Sequence, residues 1–296
     1  MKRAAIISML VLAAGGVLMV LAMQGAPMPV LEPAGPIALA QMRVIVVSVL
    51  LMLLIVVPVF FLLFFFAWKY RDESPEAHVH HHPSWDHDSA AAEFLWWLVP
   101  SAIIAVLAII AWQSSHALDP YVPLKSSEPT LTVQVVALNW KWLFIYPEQG
   151  IASLNELTIP EATPVHFLLT ADAPMNSFWV PSLGGMIMVM PGMQTQLHLA
   201  ADNVGTYDGF SGNLSGKGFS GMTFKVRSVS RQDFDSWVQA TRLSPHSLNT
   251  QSYAALMRDS ENDPVVYYSA VEPSLYTSIY MKFMPQSQTH NPHTSI

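Results

Sequence analysis

This 296-residue sequence contains no cysteine. The absence excludes disulfides, thiolate metal sites and lipid attachment through an N-terminal cysteine. It assigns no compartment, because a cysteine-free domain has nothing to oxidise even in an oxidising periplasm.

Charged side chains are also scarce. They make up 12% of the residues, against about 25% in ordinary globular domains. Hydrophobic residues reach 52%, so the composition indicates a membrane protein. The net charge of −7 and the pI of about 5.8 give no indication of nucleic acid as a partner.

Three charge-free apolar runs are present, at Ala4–Met23, Val44–Trp68 and Phe94–Trp112. About 20 apolar residues cross a bilayer as a helix, so we predict transmembrane helices over 44–68 and 93–112. The first run, within residues 1–25, is either a signal peptide or a retained helix. Retention is favoured, because no small-residue cleavage site follows it.

The distribution of basic residues predicts the topology. Lys2 and Arg3 precede the first run, and Lys69 and Arg71 follow the second. The positive-inside rule places the N-terminus and the loop 69–92 in the cytoplasm. Residues 26–43 and the chain after the third run are then expected outside.

A separate domain is predicted from residue 125 onward. Alternating apolar and polar residues at several sites, separated by Pro and Gly, predict an antiparallel β-sandwich over 125–228. A helical extension over 229–285 follows, and Ser230 with Asp233 is typical of a helix-capping box. Residues 286–296 are expected to form a flexible tail.

Distinctive motifs extend along the chain from about Leu31. They are Ala67-Trp68-Lys69-Tyr70-Arg71, Ser115-His116-Ala117-Leu118-Asp119-Pro120, Trp140-Lys141-Trp142, Met175-Asn176-Ser177-Phe178, Gly192-Met193-Gln194-Thr195, Gly205-Thr206-Tyr207-Asp208-Gly209 and Gly218-Phe219-Ser220-Gly221-Met222. Together they resemble subunit II of bacterial cytochrome bo-type ubiquinol oxidases, which belong to the haem-copper oxidase superfamily.

The resemblance implies a transmembrane hairpin in the inner membrane that carries a periplasmic, cupredoxin-like Greek-key sandwich with C-terminal helices. It also implies a partner, subunit I, that holds haems and copper, oxidises quinol, reduces oxygen to water and translocates protons in the respiratory chain. Subunits III and IV are further expected partners. The chain itself is expected to be non-catalytic, to dock on subunit I and cap its outer face. Relatives often carry a lipidated cysteine, but none exists at 21–26 here, so lipidation is not expected.

One loop has the spacing of the superfamily's binuclear copper site. In copper-bearing relatives the ligands run Cys, Glu two residues on, Cys at four, His at eight and Met at eleven, with a further His upstream. When the loop is aligned on Met222, the methionine is the only ligand that this sequence keeps. The other ligand positions hold Asn176, Ser211, Asn213, Ser215 and Phe219. Thiolates and imidazoles hold copper, whereas hydroxyls, amides and phenyl rings do not. We therefore expect no metal in this chain, and a core or sheet-edge role for Met222.

Glu93 has two interpretations. A carboxylate in the first turn of a helix is favoured by the helix dipole. The resemblance instead suggests a proton-entry carboxylate, because a Glu at this end of the second helix lies at the mouth of a proton pathway into subunit I. Ionisable residues at membrane depth are often functional, and both alternatives stay open.

Other features are given ordinary structural interpretations. Trp140 and Trp142 are expected on one face of a strand, in packing or partner contact. A histidine-rich loop is expected to be solvated, although clustered histidines can bind divalent metal. Its histidines are His78, His80, His81, His82 and His87.

The stretch Gly212–Gly218 is not a phosphate loop. Ser211 takes the place of the first glycine of that motif, and Gly218 takes the place of its Ser or Thr.

A rival function is that of a membrane-anchored, methionine-rich binding module that handles copper. The 16 methionines, and four of them close together, suggest it: Met186, Met188, Met190 and Met193. The first three alternate as in a strand, which predicts that they fill a core.

Overall fold

A computed structural model describes residues 28–70, 90–126 and 128–284. The predictions for Ala4–Met23, for the histidine-rich loop and for the tail 286–296 concern residues outside these ranges. Within them, two long helices precede a β-sandwich, and three short helices follow it.

The two apolar helices are α1, Pro36–Lys69, and α2, Ala90–Ala117. Both are long and apolar enough to cross a membrane. They extend beyond the predicted spans 44–68 and 93–112, because a helix continues through polar residues at the membrane surface while the prediction counted only charge-free residues. Pro36 occupies the first turn of α1, where its missing N–H costs nothing.

Eleven strands form the sandwich. They are β1 Leu131–Leu138, β2 Lys141–Tyr146, β3 Ile151–Leu154, β4 Glu156–Pro160, β5 Val165–Ala171, β6 Asn176–Val180, β7 Gly184–Val189, β8 Thr195–Leu199, β9 Gly205–Ser211, β10 Thr223–Val229 and β11 Val266–Tyr268. One sheet has the order β11-β3-β2-β1-β5-β8, and the other has the order β4-β10-β9-β6-β7. The predicted cupredoxin-like sandwich is confirmed as the fold class, with one strand, β11, added from the C-terminal extension.

The expectation of a purely antiparallel sandwich was wrong. β1 pairs with β5 in parallel, and β4 pairs with β10 in parallel. Each pair joins strands that are distant in sequence, so the chain crosses between sheets before it returns. Alternation of apolar residues identifies a strand but carries no information on the direction of its neighbour.

The main core is aromatic. Trp142 and Phe144 from β2 face Phe178 of β6 and Phe224 of β10, with ring centroids 5.2 to 6.4 Å apart, and Phe178 stacks on Phe224 at 5.1 Å. Aromatic pairs at such separations add about 0.5–1.5 kcal/mol each beyond their burial. Phe224 therefore packs β10, the strand after the loop with copper-site spacing, against β2 of the opposite sheet and β6 of its own sheet.

The C-terminal extension contributes α3 Arg231–Arg242, α4 Thr250–Leu256 and α5 Leu275–Met281. Ser230 caps α3 by accepting a hydrogen bond from the Asp233 amide, as predicted. The extension also covers the outer face of the six-stranded sheet and builds a second hydrophobic cluster there. Its members include Val136, Leu143, Ile145, Leu248, Tyr253, Tyr268, Leu275, Tyr276 and Ile279.

Helix α1 is joined directly to the sandwich at its N-terminal end. The Ala34 amide donates to the Ser182 carbonyl at 2.7 Å, and the Asp202 amide donates to the Ala34 carbonyl at 2.8 Å. Gly35 lies so close to the Ala200 carbonyl oxygen that a side chain would overlap it. The domain is thus attached to its membrane helix by backbone contacts rather than by a flexible tether.

Candidate functional site

The loop with copper-site spacing connects β9 to β10. Ser211 ends β9, a short 3-10 helix spans Phe219–Gly221, and Met222 follows it. The Gly212 amide donates to the Ser177 carbonyl at 3.0 Å, which holds the loop against the start of β6. The fold therefore brings Asn176 of β6 next to the loop, as the spacing predicts.

The side chains of Asn176, Ser211 and Asn213 are hydrogen-bonded to protein atoms, whereas the Ser215 hydroxyl is buried without a partner among the described residues. The Ser211 hydroxyl donates to the Asn176 side-chain oxygen at 2.9 Å in a buried contact. The Asn176 amide donates to the Pro174 carbonyl, and the Asn213 amide donates to the Met175 carbonyl, each at 2.8 Å. Buried polar groups are stable only when hydrogen-bonded, and for these three side chains protein atoms supply the partners.

The remaining positions offer no ligand set either. Ser215 and Phe219 are half-buried, and Met222 is 1% exposed and lies in the main core. One thioether among hydroxyls, amides and a phenyl ring does not fit copper. The described residues also contain no group of three or more His, Cys, Asp or Glu side chains that could hold a metal ion.

Trp140 and Trp142 do not share a strand face, so that prediction was wrong. Trp140 lies in the turn between β1 and β2 with φ of +60°, and Trp142 is fully buried in the core. The turn breaks the alternation that a continuous strand would impose. The Trp140 ring covers Gly218, where an added Cβ would lie 2.5 Å from a ring carbon, and its Nε1 donates to the Ser215 carbonyl at 3.3 Å.

Two family models match the chain. The model for the periplasmic domain of cytochrome c oxidase subunit II covers residues 148–229, and that for the COX aromatic-rich motif covers residues 242–287. The chain is 46% identical over 259 residues to the cytochrome bo(3) ubiquinol oxidase subunit 2 of Pseudomonas aeruginosa, covering 88% of this chain and 77% of the relative. It is also 46% identical over 271 residues to the ubiquinol oxidase subunit 2 of Acetobacter aceti, covering 91% of this chain and 87% of the relative.

The chain belongs to the subunit II family of ubiquinol oxidases. It is therefore a membrane-anchored subunit II with a periplasmic domain, and it has other oxidase subunits as partners. A solved structure of the periplasmic domain of cytochrome oxidase subunit II from Bradyrhizobium japonicum is also similar. It is 24% identical, covers 40% of this chain and 96% of its own, and has a TM-score of 0.37.

Met186, Met188 and Met190 of this subunit II do not fill a core, so that expectation was wrong. Met186 and Met188 are 54% and 48% exposed, Met193 is 48% exposed, and Met190 is half-buried. β7 is the edge strand of its sheet, and the residues that alternate with Met186 and Met188 are Ile187, which is half-buried against the main core, and Val189, which is buried. Alternation predicted the strand correctly but did not predict which face is buried.

Glu93 lies in the first turn of α2 and is exposed in the isolated chain. Phe94, Trp96 and Trp97 next to it are exposed as well. A position at the start of the helix fits both the dipole interpretation and the proton-entry interpretation of Glu93, so both stay open.

One polar cluster was missed in the sequence. Lys141 in β2 is only 2% exposed, and its Nζ lies 3.3 Å from Asp263 and 3.0 Å from the Arg258 carbonyl oxygen. Its ammonium also contacts the Ser260 hydroxyl. The 258–263 segment thereby fixes the turn that positions Trp140. No sequence signal pairs residues about 120 positions apart.

Proposed function

We propose that this chain is the non-redox subunit II of a proton-translocating quinol:oxygen oxidoreductase in the bacterial inner membrane. It docks on haem-bearing subunit I and caps its outer face, while catalysis belongs to the complex. The observation that carries the proposal is the loop between β9 and β10, whose copper-ligand positions hold Asn, Ser and Phe. The haems and copper of the reaction then belong to subunit I, and this chain holds no cofactor.

Docking is supported by the way the domain joins the membrane helices. Backbone contacts at Ala34 and Gly35 fix the sandwich on α1, so the domain has a defined orientation above the membrane. A rigid cap presents one face to subunit I, whereas a tethered domain would lose orientational entropy on docking. Subunits III and IV are proposed as further partners, and both helices are proposed to span the membrane.

The rival function of a methionine-rich copper-handling module is favoured by one observation. Met186, Met188 and Met193 expose their thioethers, and soft sulfur ligands bind Cu(I). Co-purification of this chain with a haem protein distinguishes the two functions, and so does copper retention by the isolated domain.

The periplasmic domain, residues 125–285, is expected to retain no stoichiometric copper. Hydroxyls, amides and a phenyl ring replace the thiolates and imidazoles that a copper pair needs. The purified domain is loaded with excess Cu(II) or Cu(I), desalted and analysed by metal mass spectrometry. A variant with Asn176→His, Ser211→Cys, Asn213→Glu, Ser215→Cys and Phe219→His restores the ligand pattern and should gain copper. Retained copper with purple absorbance in the parent domain would contradict the non-redox proposal, and retained colourless Cu(I) would favour the rival.

Glu93→Gln is expected to slow turnover of the whole oxidase several-fold without dissociating it. A proton-entry carboxylate exchanges protons with bulk water, and an amide of similar volume cannot. A charge at a helix end contributes only about 0.3–1 kcal/mol, too little to disassemble the complex. The assay is quinol-driven oxygen consumption, with haem content and subunit ratio as assembly controls. Glu128→Gln is the matched variant, because Glu128 is an exposed carboxylate outside the membrane helices. Unchanged turnover at normal assembly would leave Glu93 as a helix-end charge.

A further inference from the structure

A cavity of about 300 Å³ lies where the two membrane helices meet the sandwich. Ile37, Leu118 and Leu197 form its apolar wall, while Gln41, Asp119 and Lys125 contribute polar groups. We call this space the junction cavity. Its lining combines an apolar surface with two opposite charges, which is the chemistry of an amphiphile rather than of water alone.

The junction cavity lies at the depth of lipid headgroups. On α1, Gln41 and Ile37 precede Val44, the start of the apolar run, by about 5 and 10 Å along the helix. On the other side, Leu118 follows Trp112, the end of the second apolar run, by about 9 Å. Each headgroup layer beside the hydrocarbon is about 5–8 Å thick. Gln41 therefore lies within the headgroup layer, and Ile37 and Leu118 lie at its outer boundary, so the cavity opens at the outer edge of the headgroups.

The two charges of the cavity are not paired with each other. One carboxylate oxygen of Asp119 accepts a hydrogen bond from the Tyr121 amide at 3.0 Å. The second oxygen is available to a ligand. Lys125 has no ion pair within the described residues, whereas Lys141, Lys217, Lys225 and Lys282 each have one. An acid and a base that both face one cavity complement a zwitterion.

We propose that the junction cavity binds the headgroup of one phosphoethanolamine phospholipid of the outer leaflet. Lys125 binds the phosphate, Asp119 accepts hydrogen bonds from the primary ammonium, and the apolar wall contacts the methylene groups between them. A choline headgroup has no N–H to donate, and a glycerol headgroup has no positive charge. The inference rests on the membrane placement in the proposed function.

The roof of the cavity is preformed. His198, which lines it, donates from Nδ1 to the Pro120 carbonyl at 3.0 Å and fixes the segment that carries Asp119. Its ring stacks on His166, the residue opposite it in the β5–β8 register, with centroids 4.5 Å apart. Burial lowers the pKa of His166, and the neighbouring His198 lowers it further.

The test is native mass spectrometry of the intact oxidase, purified in mild detergent and equilibrated with mixed micelles of phosphatidylethanolamine, phosphatidylcholine and phosphatidylglycerol. The parent complex is expected to retain one phosphatidylethanolamine. Asp119→Asn and Lys125→Gln should each lower this retention about tenfold, since a hydrogen bond to a charged group is lost. Asn preserves the contact with the Tyr121 amide, so the local turn survives. Lys217→Gln, which removes an exposed lysine on the loop between β9 and β10, should change nothing.

Three results would overturn the proposal. Equal retention of the three lipids by the parent complex would indicate annular lipid without a site. Unchanged retention in both variants would remove the assigned contacts. A parent complex without bound lipid would show that the cavity is covered by another subunit. Haem content and subunit ratio are measured in every sample, so a failed lipid site at normal assembly is distinguished from a failure of the subunit II role.

Discussion

Asp263→Ala is expected to destabilise the periplasmic domain by roughly 3 kcal/mol, because it leaves the ammonium of Lys141 buried without its carboxylate. Lys141 is 2% exposed and retains only the Arg258 carbonyl and the Ser260 hydroxyl as acceptors. For a domain of this size the loss corresponds to about 6–12 °C in Tm. Chemical and thermal denaturation of residues 125–285, followed by circular dichroism, measure it.

Two further variants show whether the buried charge is the cause. Asp208→Ala removes the partner of Lys225 in an exposed pair, and should cost at most about 1 kcal/mol. Combining Asp263→Ala with Lys141→Met removes the charge together with its partner, so the double variant should be more stable than Asp263→Ala alone. The explanation would be contradicted if the double variant lost as much stability as the Asp263→Ala and Lys141→Met variants lose together.

Gly35→Ala is expected to detach the domain from α1 and to lower several-fold the haem protein recovered with this chain. The Cβ would overlap the Ala200 carbonyl oxygen, and backbone on both sides leaves no flexible side chain to move away. Overpacking of this kind costs roughly 1–3 kcal/mol, and each 1.4 kcal/mol is about tenfold in an equilibrium. The measurement is the ratio of haem to subunit II after purification through a C-terminal tag.

Gly212→Ala is the matched control for this substitution. Its Cβ would lie 2.9 Å from the Met186 sulfur, which is the end of an exposed and flexible side chain. A small shift of that side chain relieves the contact, so assembly should be normal. Equal haem recovery from the parent, Gly35→Ala and Gly212→Ala proteins would show that the close approach at Ala200 does not fix the domain on α1.

Hydrogen bonds hold the loop between β9 and β10, which has the spacing of a metal site, against β6. The Ser211 hydroxyl and the Asn176 amide form a buried hydrogen bond. The Asn213 amide and the Gly212 backbone tie the loop to β6 and the residues before it. A net hydrogen bond contributes about 0.5–1.5 kcal/mol, so a few of them provide enough stability to preserve the conformation of a surface loop.

The sequence by itself determined the class of protein and its parts. Long charge-free runs can only be satisfied as helices in a bilayer, so α1 and α2 were predictable, although their polar ends were not. Apolar alternation identified the strands, and side-chain chemistry alone predicts that Ser211, Asn213 and Ser215 hold no copper. Local capping chemistry at Ser230 likewise predicted the start of α3. Each of these properties depends on residues that are close together in the chain.

Only the tertiary structure decided which surfaces are buried and which distant groups meet. Met186 and Met188 are exposed because they lie on the face of β7 turned away from the core, whereas Ile187 between them packs against it. Lys141 is buried because the 258–263 segment returns to cover it, and the junction cavity exists because residues near 37, 119 and 198 converge. Burial and pairing depend on the whole path of the chain, whereas helix and strand formation depend on neighbours within a few residues.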